Sequence, residues 1–126
     1  MCRINPAFHR HPDEAAIIGR LVVAFGELEY ITVTIAGRAM SHREAVYRAL
    51  YRLRSTSSRI EAADALMRPT FIANDLDGEY GHMIGAVRYC LRIRNQYSHC
   101  NWADNGGLFF TNLEDSSAPA TGFEHR

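Results

Sequence analysis

An arginine, an asparagine and a histidine near residue 100 are the side chains best suited to chemistry in this chain. Arg94, Asn95 and His99 lie within Arg88–Trp102, whose sequence is RYCLRIRNQYSHCNW. Histidine can accept and donate protons near neutral pH, and a fixed guanidinium can stabilise the charge that develops on a phosphate. These residue types suit RNA cleavage, because the 2′-hydroxyl of RNA is itself the nucleophile. One chain supplies one such histidine, and a symmetric dimer would supply two.

The element that must carry these residues is a helix predicted over about residues 78–100. Its apolar residues recur at three- and four-residue spacing, which is one face of an α-helix. That line turns polar at Arg94 and Ser98, and a second polar line ends at Asn95 and His99, which are close enough to touch. We therefore expect a site at the C-terminal end of this helix. The apolar line comprises Tyr80, Ile84, Val87 and Leu91, and Arg88 and Arg92 precede Asn95 on the second line.

Earlier segments predict the helices that support this one, after irregular residues 1–11. An apolar stripe runs from Pro12 to about Met40, and it is broad enough to indicate a central helix packed on several sides. Ser41, with a glutamate three residues later, predicts the start of a second helix through a capping box. Poor helix formers at 55–58 indicate either a kink or a break into two helices. Pro69 is expected to end that segment.

The length of 126 residues predicts a single domain, 1–126. We expect an all-α fold, an up-down bundle of three long helices plus one or two short ones. The helical core should span about 12–102. Residues 103–126 should form a C-terminal arm or tail, with LFFTNLE at 108–114 as a short extended or β segment and a loosely packed end.

Charge is balanced overall but unevenly distributed. All 14 basic residues are arginine, matched by 14 acids, so the whole chain is not an electrostatic magnet for nucleic acid. Residues 1–102 hold 13 arginines against 10 acids, so the helical part is mildly basic. The second helical segment carries an arginine face that is either simply solvated or a track for RNA phosphates. Its members are Arg43, Arg48, Arg52, Arg54 and Arg59.

No metal, cofactor or membrane segment is indicated by the sequence. Three cysteines without CxxC spacing imply neither a disulfide framework nor a zinc motif. The most apolar window, residues 15–36, contains Arg20, Glu27 and Glu29, which argues against a membrane span. The N-terminus lacks the apolar run of a signal peptide, so a cytoplasmic location is expected.

The string from Arg94 to His99 has the form R-N-x-x-x-H at the end of the third long predicted helix. It resembles the motif of the HEPN domain family (higher eukaryotes and prokaryotes nucleotide-binding), whose members are small helical bundles. The resemblance implies a metal-independent endoribonuclease, often a toxin or defence protein, in which two protomers bring their motifs together across a dimer cleft. It also implies that Arg94 binds phosphate, His99 is the acid/base group and Asn95 orients the pair.

The resemblance implies RNA as substrate, a homodimer and a cognate antitoxin-type protein as partners. The residues suggested for substrate binding surround the motif, and an acid on the first long helix, Glu27 or Glu29, could pair with Arg94 structurally or belong to the site. Tyr97 and Trp102 are either a packing anchor or a platform for base stacking. The substrate-binding candidates are Arg88, Arg92, Tyr97, Ser98 and Trp102.

Other functions remain open at this point. Family members often have Gly after the histidine, where this chain has Cys100. The alternative is a HEPN-like helical dimer without catalysis that binds RNA, nucleotide or a partner protein. A third interpretation is an unrelated helical adaptor, in which Arg94 and His99 have only structural roles, the histidine being stabilised by the helix dipole.

Overall fold

The computed structural model describes residues 6–99, 101–104, 108–111 and 121–122, with only the side chains of Trp102 and Leu108 in the last three ranges. Within these residues the protein is mostly helical, which confirms the predicted class. Three long and two short helices are followed by three short strands. In chain order they are α1 (Pro6–Arg10), α2 (Pro12–Ala39), α3 (Arg43–Leu50), α4 (Thr56–Ala73), α5 (Asp77–His99), β1 (Asn101–Asp104), β2 (Leu108–Thr111) and β3 (Thr121–Gly122).

The strands form one antiparallel sheet in the order β1-β2-β3. Trp102 lies opposite Phe110, and Phe109 lies opposite Gly122. Helix α1 packs beside β1, so the expectation that residues 1–11 are irregular is wrong for 6–10. Strand β2 lies within the extended segment predicted at 108–114. Strand β1 begins at Asn101, inside the helical core predicted over about 12–102. Most of the predicted loose end lies outside the described residues.

The described residues fall into two compact units. One is residues 24–92, and the other combines the residues up to 23 with those from 93 onward. The division falls within α2 and α5, and one domain over 1–126 stays a prediction. The core of the first unit is Phe25, Val33, Ala36, Val46, Leu50, Ile60, Ala63, Met67, Tyr80, Ile84, Val87 and Leu91. That of the second is Ala7, Trp102 and Leu108, with Phe8, Ile18 and Tyr97 packed against them.

Helix α2 buries one side only. Phe25 and Val33 are buried, but Val23 is 67% exposed and Ile31 is 53% exposed. The prediction that α2 packs on several sides is therefore wrong for this stretch. Val23 and Ile31 thus lie on an exposed face of α2.

Two helices end in Schellman motifs built on residues other than glycine. At the end of α2, Ser41 has φ of 57°, its N–H donates to the carbonyl of Arg38, and the N–H of His42 donates to the carbonyl of Gly37. Ser41 therefore closes α2, and the prediction that it caps the next helix is wrong. His42 holds the N-cap position of α3 and makes no capping hydrogen bond through its side chain.

The prediction that Pro69 ends the second helical segment is wrong, and the same motif closes α4 only after the proline. The helix continues to Ala73, and Asp75 then closes it with φ of 58°. The N–H of Leu76 donates to the carbonyl of Phe71 over 2.9 Å. A proline removes one helical N–H and crowds the carbonyl four residues earlier. Here both Pro69 and Ala65 are exposed, so that carbonyl lies where water can solvate it.

The second helical segment breaks into two helices, which was one of the two predicted outcomes, and the break lies at residues 51–55. Helix α3 ends at Leu50, and α4 begins after Ser55, whose hydroxyl accepts a hydrogen bond from the N–H of Ser58 over 3.0 Å. This is a side-chain N-cap, and it satisfies one of the unpaired N–H groups in the first turn of α4. Short α3 and long α4 are thus separate helices that pack on each other.

Candidate functional site

Arg94 is held by its sequence neighbour near the end of α5. Its Nη1 donates to Oδ1 of Asn95 over 3.1 Å. The acceptor is a neutral amide, so this bond orients the guanidinium without cancelling its charge. The Nε of Arg94 is shielded from solvent and has no hydrogen-bond acceptor among the residues that the structure describes. A buried N–H without an acceptor is costly, and an anionic ligand would satisfy it.

His99 is the last residue of α5 and is exposed. It follows Asn95 by four residues, which places the two on neighbouring turns of the same face. It follows Arg94 by five, a rotation of about 140° around the helix axis. Asn95 therefore stands between the other two: it accepts from Arg94 and lies beneath His99 along the helix. The orienting role that the resemblance implies for Asn95 stays a prediction.

Tyr97 and Trp102 form a packing cluster. Trp102 is 8% exposed, and its Nε1–H donates to the carbonyl of Tyr97 over 3.1 Å. The two rings stack with centroids 5.9 Å apart, and Phe8 lies 5.8 Å from Trp102 on another side. A ring enclosed in this way has no free face for a nucleotide base. Trp102 thus anchors β1 to the end of α5, and Ser98, the remaining candidate next to the motif, is exposed.

Arg88 is engaged in ion pairs within the unit of residues 24–92. Its Nη2 donates to Oδ2 of Asp64 over 2.6 Å, and its Nε donates to Oε1 of Glu61 over 3.1 Å. Arg92 is exposed, and its guanidinium lies 5.7 Å from the ring centre of Tyr89. Of the arginines suggested for substrate binding, Arg88 therefore has its charge matched by carboxylates, whereas Arg92 projects into solvent.

Asp64 is the centre of a network that the sequence did not reveal. This buried carboxylate accepts from the hydroxyl of Tyr80 over 2.5 Å and from Nε of Arg68 over 3.0 Å, in addition to Arg88. Burial alone would raise the pKa of Asp64, but the hydrogen bonds from Tyr80, Arg68 and Arg88 hold it below its ordinary value. Burial and the bond to Asp64 raise the pKa of Tyr80, so its phenol stays protonated. The one available signal was an acid inside the apolar line of α4 with an arginine four residues later.

Glu29, one of the two acids proposed as partners of Arg94, pairs with a different arginine. Glu29 is 6% exposed and accepts from Nη1 of Arg59 over 3.1 Å. Glu27 is exposed. Glu29 is thus paired with Arg59 within the unit of residues 24–92. Helical periodicity in the sequence could not identify this buried ion pair.

The described residues contain neither a cluster of metal ligands nor a helix that could span a membrane. No group of three or more His, Cys, Asp and Glu side chains in this part of the chain is arranged to hold a metal ion. Each helix within it is too short or too polar to cross a bilayer. Comparison with known proteins found no matching family model, curated protein or solved structure.

The buried carboxylate makes stability depend on pH in a defined direction. Because the pKa of Asp64 is lowered on folding, its contribution is present above the unfolded value of about 3.9 and is lost as the pH falls through the folded value. We expect Asp64→Asn to lower the free energy of unfolding at neutral pH by about 3 kcal/mol, because the arginines lose their counter-charge. Its stability should then fall less between neutral pH and pH of about 3 than that of the parent, as measured by urea denaturation.

Glu61→Gln is the matched control. Glu61 binds the same arginine, Arg88, but its side chain is largely exposed, so its loss should cost under about 1 kcal/mol. An equal cost for the two variants, or an unchanged acid response in Asp64→Asn, would contradict the central place given to Asp64.

Proposed function

We propose that this protein is a HEPN-like endoribonuclease that cleaves RNA without a metal ion, acting as a homodimer. The observation that supports it best is the state of Arg94: a guanidinium fixed by a neutral amide, with a buried N–H that lacks an acceptor among the described residues. A guanidinium held in this way is suited to bind an anionic ligand such as a phosphate group. The exposed imidazole of His99, one turn beyond Asn95, adds a proton carrier on the same helix.

The proposed reaction needs two proton transfers. A histidine removes the 2′-hydroxyl proton, and that oxygen attacks the adjacent phosphorus. The bond from phosphorus to the 5′-oxygen breaks, and a second histidine donates the proton that the leaving oxygen requires. The products are a 2′,3′-cyclic phosphate and a free 5′-hydroxyl. Arg94 stabilises the extra negative charge of the pentacovalent phosphorus.

The requirement for two histidines is why we propose a dimer. His99 is the one histidine of the motif, so a symmetric pair of chains would bring His99 and Arg94 of each protomer to one scissile phosphate. We propose further that the enzyme works in the cytoplasm as a toxin or defence protein and is controlled by an antitoxin-type partner. The alternative remains a dimer that binds RNA, nucleotide or protein and turns nothing over.

Substitution of the motif tests the residue roles. In an EDTA-containing buffer, Arg94→Ala and His99→Ala should each slow RNA cleavage by about 100-fold or more, because each removes a group that acts in the transition state. Asn95→Ala should slow it by about tenfold, because it removes only the orienting amide. The measurement is the rate of cleavage of a labelled RNA, with circular dichroism to show that each variant is folded.

Matched controls exist elsewhere on the surface. Arg38→Ala and His82→Ala change exposed residues of the same types and should cleave as the parent does. Folded Arg94→Ala and His99→Ala proteins that cleave at the parent rate would refute the assignment. A parent protein that binds RNA as a dimer but leaves it intact would favour the non-catalytic alternative.

Subunit mixing tests the composite site. Parent and His99→Ala chains are unfolded together, refolded in equal amounts and assayed. If each active site needs both histidines, activity should fall to about a quarter of that of the same total amount of parent protein, because only parent–parent dimers are complete. A fall to about half would show that each chain acts alone and would contradict the dimeric site.

A further inference from the structure

Three tyrosines form a row on the unit of residues 24–92. Tyr30 of α2 meets Tyr47 of α3 edge-on with ring centres 5.8 Å apart, and Tyr47 meets Tyr51 at 4.6 Å. We call these three residues the tyrosine row. Tyr30 is 43% exposed and Tyr47 is 41% exposed, while Tyr51 is half-buried. Two large aromatic rings are therefore presented side by side to solvent from different helices.

The inner end of the row is fixed by buried charge. The guanidinium of Arg59 lies 5.2 Å from the ring centre of Tyr51, and the same guanidinium donates to the buried carboxylate of Glu29. Burial, followed by the nearby Glu29 carboxylate, raises the pKa of Tyr51, so its phenol stays neutral. The row thus joins α2, α3 and α4 through contacts that restrict the rotamers of its members. Rings held in this way lose little conformational entropy when a ligand stacks on them.

Arginines flank Tyr47 and Tyr51 in the sequence. Residues 43–54, which form α3 and the turn after it, contain four arginines and one acid, an excess of 4 − 1 = 3 charges. All four arginines are exposed. The acid, Glu44, accepts from Arg48 over 2.6 Å. The arginines without a described carboxylate partner are Arg43, Arg52 and Arg54.

We propose that the tyrosine row and the arginines of residues 43–54 form a docking surface for single-stranded nucleic acid. Bases would stack on the exposed rings of Tyr30 and Tyr47, and phosphates would lie against the arginines. The combination selects this ligand by charge complementarity: a single strand carries both a regular negative charge and unpaired flat bases. An acidic peptide would match the charge but would leave the rings uncovered. The surface lies apart in sequence from Arg94 and His99, and binding there does not require RNA cleavage.

The contribution of the arginines to binding is measured from its dependence on salt concentration. Binding of a labelled single-stranded RNA of roughly ten nucleotides is followed by fluorescence anisotropy, using His99→Ala protein so that cleavage cannot interfere. Replacing Arg52 and Arg54 together with Gln should weaken binding and reduce the slope of log K against log salt by about one to two. Both residues are exposed in a turn, so the variant should fold normally.

The contribution of base stacking to binding is measured by removing the exposed tyrosine rings. Tyr30→Ala combined with Tyr47→Ala should weaken binding by about tenfold or more, because each stacked base loses its partner. Tyr89→Ala, which removes an exposed ring from α5, is the matched control and should bind as the parent does. A duplex of the same sequence should bind more weakly than the single strand, since its bases are already stacked.

The two variants separate this inference from the proposed function. Undiminished binding by both the arginine and the tyrosine variants would overturn the docking surface, whatever the activity of the parent. Equal binding of duplex and single strand would also overturn it. Failure of the parent to cleave RNA, with binding still sensitive to these residues, would refute the nuclease and leave the docking surface standing.

Discussion

A buried carboxylate, Asp64, imposes the strictest constraint on the helices of residues 24–92. An ionised acid away from water is tolerated only with opposite charge and hydrogen bonds around it. Tyr80 and Arg88 on α5 supply them together with Arg68 on α4 itself. Since two of the three donors come from α5, the pairing of α4 with α5 is fixed in register as well as in distance. Apolar packing alone would not specify that register so narrowly.

Arg88 and Arg94 differ in the groups that hold their guanidinium charge. Both occupy α5, six residues apart, and both are partly buried. Arg88 meets carboxylates, so its charge is used inside the protein. Arg94 meets the amide of Asn95, which leaves the charge available to a ligand. Of these two arginines, Arg94 is therefore the one suited to bind an external phosphate, and it is the one that belongs to the motif.

Local patterns in the sequence predicted the long helices well. The apolar line of α5 is buried throughout at Tyr80, Ile84, Val87 and Leu91, because helical periodicity is a property of adjacent turns. Helix ends were less predictable. Ser41 and Asp75 adopt the left-handed conformation that glycine usually takes at such positions, so neither residue type predicted that it would close a helix.

Contacts between distant segments could not be predicted from spacing. Arg88 shares its line with Asn95 and His99, yet its partner Asp64 lies 24 residues earlier. Trp102 packs against Phe8 from the opposite end of the chain, a contact that no residue spacing indicates. Only the bond from Arg94 to Asn95 was close enough in sequence for the motif itself to suggest it.

We propose that the end of α5 performs phosphodiester chemistry through the 2′-hydroxyl of the substrate. The most direct measurement maps a cleaved bond in a defined RNA and then replaces the single 2′-hydroxyl beside that bond with hydrogen. We expect cleavage at that bond to disappear while other bonds are still cut, and the original fragment to end in a 2′,3′-cyclic phosphate. Continued cleavage at the deoxy position, or an RNA that stays intact from the start, would contradict it.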